Sequence, residues 1–230
     1  MKGSVMAVRM TRWRPGSTSK VVADFLGRPA FDPRAEAVAR RTLADIKSNG
    51  DAAVIKYTRR FQNASLSRSE LSVPPAAMSS AGKSIPARAR AAVREAHARI
   101  VRFSKAGMRR DWRTPTPGGG RLGEQFVPLD RVGVYVPGGA APLASTVLMT
   151  VTLAKVAGVR EIVVCTPCDG EKRIDPVLLY ALHVAGATEA YRVGGIQAVG
   201  MMAYGSESVR KVQKIVGPGG VYVTAAKRQV

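Results

Sequence analysis

The chain is poor in the residues that most often carry chemistry. It has two histidines and two cysteines in 230 residues. A zinc centre needs three or four N, O or S ligands in fixed geometry. His97 and His183 each fall inside a helical pattern with no carboxylate cluster beside them, and both read as structural histidines. Cys165 and Cys168 cannot build a disulfide framework, which fits a reducing compartment. As Cys165-Thr166-Pro167-Cys168 they could be a redox pair or half a zinc knuckle, but no further cysteine exists and the structural reading is preferred. There is no P-loop, no H-E-x-x-H, no Ser/His/Asp order and no G-x-G-x-x-G, so neither a hydrolytic centre nor a standard dinucleotide fingerprint can be assembled. No apolar run reaches 18 residues, so no membrane span is expected.

Acidic residues are also scarce, 16 against 36 basic ones, for a net charge of +20. Residues 1–130 hold 25 basic and 10 acidic residues; residues 131–230 hold 11 and 6. Such an excess points to nucleic acid or another anionic surface. Against that, the cations are dispersed and aromatics make up only 6% of the chain, so the interleaving that builds a stacking platform is missing. A nucleic-acid partner is therefore not expected. The hydrophobic fraction of 46% is enough to bury a core.

Residues 1–23 are basic, free of acids, and carry four serines and threonines beyond residue 10. This loosely resembles a transit peptide, but there is no apolar h-region for secretion, and an ordinary N-terminal arm is expected. Residues 34–48 read as a helix, with Ala39, Leu43 and Ile46 at helical spacing. Gly50 should stop it and Asp51 should cap the next, which carries Val54, Tyr57 and Phe61 on one face. Residues 62–85 read as polar loop. Pro86 opens the longest helix, to about Lys105, with Val93, Ala96, Ile100 and Phe103 as its apolar stripe. Its cations Arg88, Arg94, Arg99, Arg102 and Lys105 read as a solvated face rather than a phosphate-binding one. Residues 112–121 read as a Pro/Gly connector. The expected organisation is a basic helical region over 1–115 and an α/β domain over 116–230.

The second half alternates strands, expected at 132–136, 161–165, 190–193 and 212–216, with helices at 145–157, 175–185, 196–204 and 221–229. That alternation implies an incomplete Rossmann-like parallel sheet with flanking helices. Glycine turns follow three of the strands: Pro137-Gly138-Gly139, Gly194-Gly195 and Gly217-Pro218-Gly219-Gly220. In a parallel sheet ligands bind outside the carboxyl ends of the strands. Tyr135, Gly138, Gly139, Gly195, Gln197 and Gly220 are expected to gather there in one cleft. Gln197 would offer its amide early in a helix, and Tyr135 a ring and a hydroxyl.

Several motifs then fall into one family's order: Gly133-Val-Tyr-Val-Pro-Gly-Gly139, Ser145-Thr-Val-Leu-Met149, Tyr191-Arg-Val-Gly-Gly-Ile-Gln-Ala198, Ala203-Tyr-Gly-Ser-Glu-Ser208, Lys211-Val-Gln-Lys-Ile-Val-Gly-Pro-Gly219 and Val223-Thr-Ala-Ala-Lys-Arg228. With Asn49-Gly-Asp-Ala-Ala-Val54 and Tyr57-Thr-Arg-Arg-Phe61 they strongly resemble histidinol dehydrogenase over roughly residues 25–230. The resemblance implies a cytoplasmic, homodimeric enzyme with an aldehyde-dehydrogenase-like fold. Such enzymes oxidise L-histidinol to L-histidine with two NAD while a zinc ion holds the substrate. It implies NAD contacts at Tyr135 and Gln197, and a third at Gly220, where the family usually has asparagine. Glycine supplies no amide there, so weak NAD binding is expected. The family's zinc ligands and its catalytic Glu-His pair match no residue of this chain. It resembles the N-terminal half, with no catalytic or metal-ligating residue assigned and no activity expected from it alone. A basic binding module derived from the enzyme, contacting nucleic acid or another anionic partner, is the alternative.

Overall fold

The computed structural model describes residues 10–17, 19–28, 31–138 and 142–230. Gly139, expected in the cleft, lies outside the described residues. Helix α1 (Lys20–Leu26) is followed by α2 (Pro33–Gln62). Asp32 caps α2, accepting from the Arg34 and Ala35 N–H groups, and Pro33 suits the first turn. Gly50, at φ 49° and ψ −130°, breaks α2 into the two expected segments. Asp51 does not cap the second segment with its side chain as expected. Its own N–H instead donates to Glu207 Oε2 at 2.8 Å, so a carboxylate far along the chain serves this helix start. The buried Asp51 carboxylate accepts from Ser208 Oγ (2.6 Å) and pairs with Arg68 Nε (3.1 Å).

Residues 62–85 hold more structure than a loop: α3 (Arg68–Leu71), α4 (Pro75–Ser80) and a 3-10 turn at Ala81–Ser84. These elements are too short to show a helical period in the sequence. Helix α5 (Ala87–Ala106) follows Pro86 as expected. The stretch read as a connector is an exposed hairpin of β1 (Trp112–Pro115) and β2 (Arg121–Glu124). Thr116 N–H closes it on Gly120 O at 2.9 Å, and Gly118 and Gly119 supply the positive φ of the turn. Its Pro and Gly residues mask the pairing, and the boundary expected at 115/116 falls between its two strands.

The remaining elements alternate: β3 (Arg131–Tyr135), α6 (Ala144–Val156), β4 (Glu161–Cys165), α7 (Pro176–Ala185), β5 (Glu189–Tyr191), α8 (Gly195–Tyr204), β6 (Lys214–Val216) and α9 (Val221–Lys227). The four strands pair in parallel in the order β5-β4-β3-β6. Strand order therefore reverses between β3 and β6, as in one half of a Rossmann sheet. Helices α2, α8 and α9 pack together, and α4, α5, α6 and α7 form a second packed group. Val134, Val136, Ile162, Val163, Val164, Leu182, Met201 and Met202 are fully buried. A strand covered on both faces needs such unbroken apolar runs rather than alternation. The outer edge of β5 is covered by residues 71–73. Val73 N–H donates to Ala190 O, and Arg192 N–H to Leu71 O, each at 2.8 Å.

Candidate functional site

The carboxyl edge of the sheet opens into a cavity of about 1140 Å³. The turns after β3, β4 and β5 line it with Tyr135, Pro137, Gly138, Thr166, Pro167, Cys168, Gly194, Gly195 and Gln197. Pro167 is the piece around which these turns close. A Cβ on Gly138 would lie 2.5 Å from Pro167 Cγ, and one on Gly194 would lie 2.8 Å from Pro167 Cβ. Only glycine lets both turns approach the ring this closely.

Tyr135 ends β3 with only 5% of its surface exposed. Its hydroxyl accepts from Gly195 N–H at 3.2 Å, and burial pushes the phenol's pKa up. Gln197 lies in the first turn of α8 and is fully buried. Its Nε2 donates to Gln62 Oε1 at 3.1 Å, while its Oε1 has no hydrogen-bond partner among the described residues. The start of α8 has no side-chain cap. Buried polar atoms are rarely left unpaired, and their exceptions concentrate where a ligand completes them.

The rim is charged. Lys172 pairs with Glu70 at 2.7 Å, and Arg173 with Asp169 at 3.1 Å. Lys172, followed by the Ser67 backbone and hydroxyl, holds the Glu70 carboxyl at about 2. Among the described residues Arg192 has no carboxylate partner. Its Nε donates to Lys172 O (3.0 Å), and its Nη1 to Glu70 O (3.0 Å) and Ser72 O (2.6 Å). A guanidinium tied to neutral carbonyls keeps its charge available to an anion.

Of the expected site residues, Tyr135, Gly138, Gly195 and Gln197 line one cavity. Gly220 does not. It is exposed at the N-cap of α9, and a Cβ there would meet nothing within 4 Å. Gly217, at φ 116°, brings its backbone against the Tyr135 carbonyl, and Lys227 Nζ donates to Gly217 O. The cavity therefore lies over β3, β4 and β5, and the turn after β6 stays outside it. Gln62, Lys172 and Arg192 line the cavity without any warning from the sequence. Gln62 reaches Gly194 across 132 positions, a separation no local pattern encodes.

Both cysteines are free and buried, and burial raises each thiol's pKa, so neither has the thiolate character of a reactive cysteine. Burial likewise lowers the His97 pKa. Along α5, Arg94 donates to the Tyr180 hydroxyl at 3.2 Å and Arg99 pairs with Glu95 at 2.5 Å, so two of the five cations of this face have partners within the chain. Among the described residues no helix is long and apolar enough to cross a membrane.

The model of the family described as histidinol dehydrogenase matches residues 28–230. The chain belongs to the histidinol dehydrogenase family. The histidinol dehydrogenase of Symbiobacterium thermophilum is 43% identical over 220 residues, covering 95% of this chain and 49% of that protein. That of Chromobacterium violaceum is 38% identical and covers 97% of this chain and 51% of its own. The crystal structure of histidinol dehydrogenase from Elizabethkingia anophelis superposes with a TM-score of 0.81 at 35% identity, over 88% of this chain and 46% of that one. The chain thus spans about half the length of the curated relatives it matches. That structural neighbour has the same α/β architecture, so the Rossmann-like sheet is the family's fold. The family implies NAD and zinc for the full-length enzyme. Among the described residues no three His, Cys, Asp or Glu side chains converge, so the residues present do not fit zinc. They do fit a dinucleotide: among the described residues the unpartnered Gln197 Oε1 and the Arg192 guanidinium, tied only to carbonyls, are groups that an anionic, hydroxyl-bearing ligand would complete.

Proposed function

We propose that these residues form a nicotinamide-nucleotide cleft serving the NAD-dependent oxidation of histidinol. By the same reading the protein works in the cytoplasm, with a second copy or a polypeptide equivalent to the relatives' other half as its partner. When bound, NAD supplies the hydride acceptor. The residues here bind and orient it. Tyr135 fixes the Gly194-Gly195 turn through its hydroxyl and offers its ring edge to the cavity. Gln197 presents an acceptor, and Arg192 offsets negative charge at the rim. The observation that carries the reading is the convergence of Tyr135 and the buried, half-satisfied Gln197 on one cavity at the carboxyl edge.

Binding should be weak, because Gly220 offers no side chain and sits outside the cavity. Calorimetric titration of the 230-residue chain with NAD should give a dissociation constant of about 1 mM, or roughly −4 kcal/mol. Gln197→Ala should weaken it about fivefold, the effect of one lost hydrogen bond. An affinity unchanged by that substitution would remove Gln197 from the site.

A further inference from the structure

We infer that Gln62, the last residue of α2, is a positioning residue for this cleft and decides which way Gln197 faces. The inference rests on the nucleotide-cleft reading for its functional meaning, while its geometry stands apart from it. Gln62 Oε1 accepts two hydrogen bonds, from Gly194 N–H at 2.6 Å and from Gln197 Nε2 at 3.1 Å. The first of these sets the orientation of the Gln62 amide, since its Nε2 cannot face a backbone donor. The second then sets the orientation of Gln197, because only the donor end of its amide can meet an acceptor. What remains for a ligand is Gln197 Oε1, which is buried and without a partner among the described residues. The group meeting Gln197 must therefore be a donor, such as a ribose hydroxyl or a carboxamide N–H.

The arrangement is tight enough to hold. Gln62 Oε1 lies 3.2 Å from where a Gly194 Cβ would sit, and Pro167 closes the other side of that glycine. A helix from the basic first half of the chain thus secures the turn that starts α8. In β-sheet terms Gln62 does what the Tyr135 hydroxyl does one residue on: each satisfies one N–H of the Gly194-Gly195 pair. Its own Nε2 is left buried without a partner, so the side chain sits there at some cost to stability, as expected of a group kept for a site rather than for the core.

The test compares Gln62→Leu, which keeps the bulk and removes the acceptor, with Gln62→Glu, which keeps the acceptor. Amide hydrogen exchange on the intact chain should show Gly194 N–H protected in the parent and in Gln62→Glu, and exchanging at least tenfold faster in Gln62→Leu. NAD titration should show Gln62→Leu weakening binding about fivefold, with the double variant Gln62→Leu/Gln197→Ala no weaker than Gln197→Ala alone, because both act through one amide. Equal Gly194 exchange in parent and Gln62→Leu would overturn the inference, as would fully additive losses in the double variant. If the parent binds no NAD at all, the cleft reading fails, and the exchange comparison still decides whether Gln62 positions the turn.

Discussion

Replacing Arg131 with alanine is expected to cost about 3 kcal/mol of folding stability at neutral pH, by leaving two carboxylates without the charge between them. Arg131 opens β3 with its side chain 6% exposed. Its Nη1 pairs with Glu161 Oε2 at 2.5 Å and Glu189 Oε1 at 2.6 Å, Nη2 donates to Glu189 Oε2 at 2.9 Å, and Nε to Arg210 O at 3.2 Å. It thus joins the amino ends of three adjacent strands. The figure sits at the low end for breaking a buried pair because the Glu161 and Glu189 side chains are 38% and 33% exposed and solvent screens part of the repulsion. In a chain of this size the cost corresponds to a fall in Tm of roughly 6–12 °C. The effect should depend on pH. Arg210 and then Arg131 hold the Glu161 carboxyl below its ordinary 4.5, and Arg131 and then the Tyr191 hydroxyl do so for Glu189. Carboxyls depressed in the folded state add stability that is present above 4.5 and lost as pH falls through their folded values. The gap between parent and Arg131→Ala should therefore be widest near pH 7 and narrower at about pH 3, below the ordinary carboxylate value of 4.5. Urea melts at the two pH values measure it, and an equal gap at both would contradict the account.

The second large effect is expected at Gly217. Alanine there should cost about 3 kcal/mol, combining strain at a positive φ with overpacking against backbone. At φ 116° an L side chain is disfavoured, and the added Cβ would run into the Tyr135 carbonyl, which cannot swing aside as a side chain tip can. The ends of β3 and β6 would have to part, and Tyr135 would move away from Gly195. Gly220→Ala is the matched comparison. It meets no neighbour at an ordinary φ of −70°, and should cost under about 1 kcal/mol, the scale of a helix N-cap change. Thermal melts of the two variants should separate clearly, and equal melting temperatures would show that the β3–β6 closure is not tight.

The alternating half of the chain was legible because each signal was local. Strands of Val and Ile and the glycine turns that follow them act within a few residues, and every strand expected there is present. What the sequence hid were interactions between distant segments. The hairpin at 112–124 pairs exposed Arg, Gly and Thr, so it shows no alternation of apolar residues. The capping of the Asp51 N–H by Glu207 spans 156 positions, and the Gln62 contact with Gly194 spans 132. Tyr135 and Gln197 could be named from motif and strand end, and they meet the same cavity. Gly220 joins them in the sequence through the family resemblance and a turn that also follows a strand, and it lies outside the residues lining that cavity. Gly217 lies with its backbone close to Tyr135, and a contact of this kind leaves no trace in the sequence beyond one more glycine.

The most direct test of the cleft is to titrate NAD into uniformly labelled chain and follow backbone amide resonances. Shifts should concentrate at Gly138, Gly194, Gly195 and Gln197, with half-saturation at about 1 mM. Shifts confined to Gly219, Gly220 and the following helix, or spread over the arginines of residues 87–106, would contradict it.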